Sequence, residues 1–168
     1  MKKVFFASAI AAILLSGSVP ARADTQSYLS LSGGVYDVLD KKRSVDFRAE
    51  YRSAKSIVLD NLHPYAGLSI SSHGSAWVGG GMFYDYRLSP KWLLTPSFGM
   101  GVYAHGNGDT DLDYPIQFRT QLEISYEFAN KNRLGLGLSH ISNASMGDTN
   151  PGAEVISLYW HMPFDTIF

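Results

Sequence analysis

The sequence predicts an all-β protein: an eight-stranded antiparallel transmembrane β-barrel with periplasmic termini. Three observations lead there. Short segments of alternating polarity recur along the chain, as strands with two different faces require. Glycine (16 residues) and aromatic side chains (13%) are abundant. After residue 23, no apolar run is long enough for a membrane helix, so any span must be a strand.

The N-terminus reads as an export signal. Lys2 and Lys3 precede an apolar run from Val4 to Leu15, and Ala21-Arg22-Ala23 is an Ala-x-Ala cleavage pattern. A short membrane anchor or a core helix is the alternative. Removal of residues 1–23 from a chain of 168 leaves 145, enough for one domain. The removed segment holds three basic residues and no acidic one. The remainder, 24–168, therefore carries 11 basic against 15 acidic side chains, a net of −4. That balance argues against nucleic acid as a partner. There is no cysteine, which excludes disulfides and thiolate metal sites.

The strands follow in order. Leu29, Leu31 and Val35 alternate with Ser30, Ser32 and Gly34 between Tyr28 and Tyr36. From Val45 to Arg52, Val45, Phe47, Ala49 and Tyr51 take one face and Asp46, Arg48, Glu50 and Arg52 the other. Charges on one face suit a small barrel with a polar interior. Ser53–His63 reads as a long turn or an early strand start near Ile57. Pro64–Ser72 and Trp77–Arg87 are the third and fourth strands. The fifth places Trp92, Leu94, Pro96, Phe98, Met100 and Val102 in step, although proline cannot donate to a ladder. His105–Asp113 is a loop. Ile116, Phe118, Thr120, Leu122, Ile124, Tyr126 and Phe128 mark the sixth strand, about a dozen residues long, which suits a tilted membrane crossing.

Two strands remain, Arg133 to Ser142 and Glu154 to the end of the chain at Phe168. Aromatic residues near strand ends (Tyr28, Tyr36, Trp77, Trp92, Trp160 and Phe164) fit interfacial girdles. A soluble lipocalin-like barrel would reverse the polarity, with apolar residues inward. The bulk of the aromatic face, set against glycine, serine and paired charges on the other, favours the membrane reading. Arg119, Glu123, Asp46 and Arg48 are expected in an interior polar network. His63, His73 and His105 are expected in loops, and Lys41, Lys42 and Arg43 in an extracellular loop where they could meet phosphates.

The last two strands hold the chemistry. By parity, His140 and Ser142 share a face with Leu134, Leu136 and Leu138, while Glu154 shares one with Ile156, Leu158 and Trp160. Polar groups on an apolar face are costly. Residues i and i+2 lie about 6.5–7 Å apart along a strand, and Glu154 can approach from the neighbouring strand. Nucleophile logic then makes Ser142 the nucleophile, His140 its base and Glu154 the orienting acid. Asn143, Asn150 and the turn N–H groups from Ala144 to Gly147 are candidate oxyanion donors. On spacing alone, loop-edge residues wetted by headgroups remain an equal reading.

His140-Ile141-Ser142-Asn143-Ala144 followed by Asn150-Pro151-Gly152-Ala153-Glu154 resembles the signature of the lipid A 3-O-deacylase (PagL-type) family. The resemblance implies an outer-membrane esterase, a carboxylic-ester hydrolase with no cofactor and no metal. Its substrate would be lipid A of lipopolysaccharide in the outer membrane of a Gram-negative bacterium. His140, Ser142 and Glu154 would be catalytic, with Asn143 and Asn150 near the oxyanion hole. The family often has Gly where this chain has Ser145. A non-catalytic barrel serving adhesion or membrane integrity is the competing function, a narrow pore is disfavoured by the strand count, and a homodimer is left open.

Overall fold

A computed structural model describes residues 26–40 and 42–167. The expected signal peptide, Lys41 and Phe168 lie outside the described residues. The strands are β1 (Tyr28–Tyr36), β2 (Ser44–Arg52), β3 (Leu62–Ser71), β4 (Ala76–Tyr84), β5 (Trp92–Ala104), β6 (Ile116–Glu127), β7 (Arg133–Ser142) and β8 (Ala153–Pro163). Each pairs antiparallel with its neighbour in sequence, and β1 pairs with β8 in the register Tyr28↔Pro163 to Val35↔Ile156. That last pairing closes the sheet within one chain. No edge is left for a second copy to complete, so the geometry gives no support to a homodimer.

Alternation decides which side of the wall each residue meets. Leu31, Phe47, Leu68, Val78, Met100, Leu136 and Leu158 are exposed outward, whereas Asp46, Arg48, Glu50, Arg52, Arg119, Gln121, Glu123 and His161 are buried inside. The polarity is that of a membrane barrel rather than a lipocalin. The interior charges interlock. Arg52 bridges Glu50 at 3.2 Å and Glu123 at 2.8 Å, and Arg119 binds the other oxygen of Glu50. Arg48 meets Asp46 at 2.5 Å, and His161 sits between Ser30 (2.7 Å) and Glu123 (2.8 Å). Side chains thus fill the lumen, against the pore reading.

Several elements depart from expectation. β3 begins at Leu62, after a loop in which Val58 and Asn61 take positive φ (72° and 64°). β4 stops at Tyr84 and resumes only as the pair Tyr86–Arg87. The register places this break opposite Pro96 and Thr95, because Phe83 pairs with Ser97 and Tyr86 with Leu94. Pro96 has no N–H to offer there, and the Asp85 carboxylate instead accepts from the Thr95 hydroxyl at 2.6 Å. β8 ends at Pro163 rather than Phe168, and one further backbone bond, Phe164 N–H to the Ser27 carbonyl at 2.7 Å, follows it before the chain turns away. A 3₁₀ turn, Phe164–Thr166, follows.

The girdle is also different. Tyr28, Tyr36 and Trp77 are buried inside, because they fall on the inward parity. Arg133 lies 4.4 Å over the Tyr28 ring and Arg119 lies 4.8 Å over Trp77, and such contacts reward an inward ring. The outer belt at the terminal end is instead a chain of ring contacts, Trp92–Tyr126–Phe128–Trp160, with Tyr51 against Phe164. His63 is not a loop residue. It lies inward on β3 and stacks on Phe83 at 5.4 Å.

At the end away from Tyr28 and Pro163, the 105–113 loop folds over the mouth. Its Asp109 is buried and accepts from Ser44 (2.6 Å) and Ser71, while Thr110 donates to Asp37 at 2.6 Å. Burial raises the Asp109 pKa, but hydroxyl donors from Ser44, Ser71 and Ser75 outweigh it and hold the carboxyl below its ordinary value. Leu112 from the same loop is fully buried.

Replacing Glu50 with leucine strands the Arg119 guanidinium in the lumen. Removing one partner of a buried pair costs about 3–5 kcal/mol. The variant is expected to unfold at clearly lower urea, followed by the heat-modifiable shift of the folded barrel on gels.

Candidate active site

The β7–β8 hairpin builds the site from two outward stripes. On β7 the stripe runs Leu134, Leu136, Leu138, His140, Ser142; on β8 it runs Glu154, Ile156, Leu158, Trp160. Register places His140 directly across from Glu154. Imidazole Nδ1 and carboxylate Oε1 are 3.3 Å apart. The matching tautomer has Nδ1–H donating to Glu154, which leaves Nε2 free to accept. Glu154 Oε2 is buried and has no hydrogen-bond partner among the described residues. Ser142 stands two residues beyond His140 on the same half-buried face, opposite Phe118 on β6. Its hydroxyl makes no hydrogen bond among the described residues. The structure therefore joins His140 to Glu154 and sets Ser142 on the same face beside them without a hydrogen bond among the described residues.

The outer wall isolates this cluster. Across the outward positions of the eight strands, the polar side chains other than Tyr and Trp are Thr120, His140, Ser142 and Glu154. They lie on three adjacent strands. Thr120, His140 and Glu154 form one row, each directly opposite the next. Every other outward position is aliphatic, aromatic, Gly, Pro or Met.

The turn after β7 explains where the two asparagines go. Asn143 continues the inward parity and is fully buried. Its Nδ2 donates to the carbonyls of Leu112 (3.0 Å) and Thr149 (2.7 Å), and its Oδ1 accepts from the Ser145 N–H at 2.8 Å. That carboxamide is committed to the loop and does not face the outer surface, contrary to the expectation of a side-chain oxyanion donor. Asn150 is exposed; its Oδ1 accepts from the Asn143 N–H at 3.3 Å, and its Nδ2 lies 3.5 Å from Ser145 Oγ.

Ala144 (φ 53°) and Ser145 (φ 66°) are both left-handed, and Met146 N–H donates back to Asn143 C=O at 3.1 Å. This is a type I′ turn, the kind that favours glycine. At Ser145, where the resemblance led one to expect Gly, the positive φ supplies a backbone reason for that expectation. Of the four turn amides, those of Ser145 and Met146 are spent within the turn, while those of Ala144 and Gly147 have no partner among the described residues.

One residue escaped the sequence reading. Gly152 has φ +66°, and a Cβ built on it would lie 2.7 Å from His140 Cε1 and 3.3 Å from Nε2. Only a glycine lets the chain pass so close to the imidazole while turning in the left-handed region. The Pro-Gly pair before Glu154 was the available signal. Among the described residues, no group of three His, Cys, Asp or Glu side chains could hold a metal ion.

The family model described as Lipid A 3-O-deacylase (PagL) matches residues 45–163. The chain belongs to the lipid A 3-O-deacylase (PagL) family. The matched span runs from β2 to β8 and contains the whole cluster. A solved structure of the outer membrane enzyme PagL is similar over 82% of this chain and 99% of its own, at 19% identity and a TM-score of 0.65. Neisserial surface protein A is similar over 82% and 97%, at 11% identity and a TM-score of 0.60. A de novo designed transmembrane β-barrel is similar over 84% and 98%, at 13% identity and a TM-score of 0.53. At these identities the likeness to solved structures is one of fold. A search of curated proteins gave no match.

Gly152→Ala is expected to push the imidazole away from Glu154 while the barrel stays closed. The NMR signals of a selectively labelled His140 should then match those of a Glu154→Gln variant. Unchanged signals would remove Gly152 from the site.

Proposed function

We propose that this protein is an outer-membrane esterase that removes the 3-O-linked hydroxyacyl chain from lipid A. The observation that carries this is the His140–Glu154 pair facing lipid, with Ser142 beside it, on a wall whose one other polar side chain among the described residues, Tyr and Trp apart, is Thr120, in a member of this family. Export follows from the signal peptide read at residues 1–23, which leaves 24–168 as the barrel.

Orientation supports the same reading. The first and last residues of the wall, Tyr28 and Pro163, pair at one end of the barrel, and β7 runs away from that end towards Ser142. With periplasmic termini, the cluster sits at the level of the outer leaflet, which is lipopolysaccharide. The acyl chains then remain in hydrocarbon along Leu138, Ile156 and Leu158. The ester lies at the interface, and water arrives from the headgroup side.

The chemistry is acyl transfer through serine. His140 Nε2 takes the proton of Ser142 as its Oγ bonds to the ester carbonyl carbon. Glu154 holds the ring through Nδ1–H and stabilises the imidazolium. The tetrahedral oxyanion draws on donors at the turn; the Asn150 carboxamide and the Ala144 and Gly147 amides are the groups we assign. Asn143 acts by shaping that turn. Collapse breaks the bond to the sugar oxygen, which receives the proton from His140. Water, deprotonated by His140, then releases the hydroxy fatty acid from Ser142. The Ser142–His140 hydrogen bond forms as substrate seats, since catalytic contacts often tighten only in the complex.

Incubation of the purified protein with lipopolysaccharide is expected to remove one hydroxyacyl chain, seen as a loss in lipid A mass. Ser142→Ala should lower the rate by at least about a thousandfold, and Glu154→Gln by roughly a hundredfold to ten-thousandfold. Both should retain the folded-barrel gel shift. Unchanged lipid A mass with the wild type would sink the esterase and leave a structural barrel.

A further inference from the structure

Among the described residues, the outward polar side chains of the strands other than Tyr and Trp number four, and the mechanism uses three. Thr120 is the fourth. It lies on β6 directly opposite His140, half-buried, and its hydroxyl has no hydrogen-bond partner among the described residues. It is the one polar position on the outward stripe of β6 between Ile116 and Tyr126, and the facing stripe of β5 from Trp92 to Ala104 has none apart from the Trp92 ring. An isolated hydroxyl in hydrocarbon gains nothing from its surroundings and invites a polar partner.

We propose that Thr120 is a substrate-contacting residue whose Oγ1 pairs with the 3-hydroxyl of the acyl chain being removed. This rests on the esterase reading above and adds to it the basis for choosing a hydroxylated chain. The scissile carbonyl must lie at Ser142, and its chain must descend towards the bilayer centre. Directly opposite strand residues have Cβ atoms about 4.5–5.5 Å apart, and one step down the same face is about 6.5–7 Å. The 3-hydroxyl, two carbons beyond the carbonyl, therefore falls between the level of Ser142 and the row that joins Thr120 to His140, where the Thr120 side chain can meet it.

The surroundings fix which flank it takes. On the β8 side, Glu154 Oε1 is engaged with the imidazole and its Oε2 is buried. On the β6 side, Thr120 sits in an apolar frame. Phe98 is its direct neighbour on β5 and stacks on Phe118 at 5.9 Å and 18°, while Leu122 and Leu138 lie one step below. A chain lying against that frame meets a single hydrogen-bonding group, the Thr120 hydroxyl. A hydroxylated chain keeps its hydrogen bond there; an unhydroxylated one leaves Thr120 unpaired and loses nothing else.

The test uses two nitrophenyl esters of equal chain length, one 3-hydroxylated and one not, presented to the full-length protein in detergent micelles, with lipopolysaccharide hydrolysis measured in parallel. The wild type is expected to prefer the hydroxylated ester by about tenfold in kcat/KM, the worth of one neutral hydrogen bond. Thr120→Val, which keeps the shape and removes the hydroxyl, should bring that ratio close to one. Thr120→Ser should restore it, and both variants should keep the gel shift. A wild type without preference, or a Thr120→Val variant that slows both esters equally, overturns the assignment. A wild type that cleaves no substrate at all sinks the esterase reading itself.

Discussion

Every backbone N–H and C=O at the depth of the hydrocarbon must find its partner inside the protein, because the lipid offers none. The β1–β8 pairing supplies the last set and turns a sheet into a cylinder. Closure in turn forces a strict division of side chains. Odd and even positions of every strand meet different solvents, so one residue of slippage would put arginines into lipid and leucines into the lumen. The interior can hold its charges only because they neutralise one another across strands. Glu50 serves Arg52 and Arg119; Glu123 serves Arg52 and His161. These contacts join β2, β6 and β8 through the centre, so the register of the wall and the pairing in the lumen specify each other.

Against that division, a polar residue pointing outward is an exception that must be explained locally. His140 and Glu154 explain each other, since their contact replaces much of the hydration each has given up. The turn above them is built with equal economy. Asn143 directs its carboxamide to three backbone groups in two loops and thereby ties the 105–113 loop to the end of β7. Gly152 then brings β8 in beneath the imidazole. The left-handed residues Ala144 and Ser145 carry backbone strain of order 1 kcal/mol each, which only a turn held from several sides can keep.

The sequence was most legible where a single rule dominated. Alternation alone revealed all eight strands, the charged lumen and the outward parity of His140, Ser142 and Glu154. It was least legible where parity competed with another tendency. Tyr28, Tyr36 and Trp77 look like girdle residues by type, yet their positions count inward, and cation–π contacts with lumen arginines suit them there. His63 looked like a loop residue because the start of β3 is masked by an irregular approach through Val58 and Asn61. The break in β4 could not be read from β4 itself; its cause, Pro96, lies on the strand opposite. Asn143 has the right type for an oxyanion donor, and one step of parity turns it the other way. Only the β4 break turns on a partner distant in sequence, which periodicity does not report; for the aromatics and Asn143, residue type outweighed a parity that the sequence already held.

Thr120 was in plain view as the sole polar member of an apolar stripe, but threonine is a common strand former, and one strand gave no reason to single it out. The reason appears only when the registers of β6–β7 and β7–β8 are laid side by side. Thr120, His140 and Glu154 then fall into a line across the wall. A threonine placed at random on the outer surface has many strands on which to fall; this one is the immediate neighbour of the imidazole. The same logic separates it from Ser139 and Ser157, which are also on β7 and β8 but face the lumen and are buried there. On a wall where lipid exposure penalises an unpaired hydroxyl, adjacency to the reactive pair is the physical circumstance in which a substrate can supply what the protein does not.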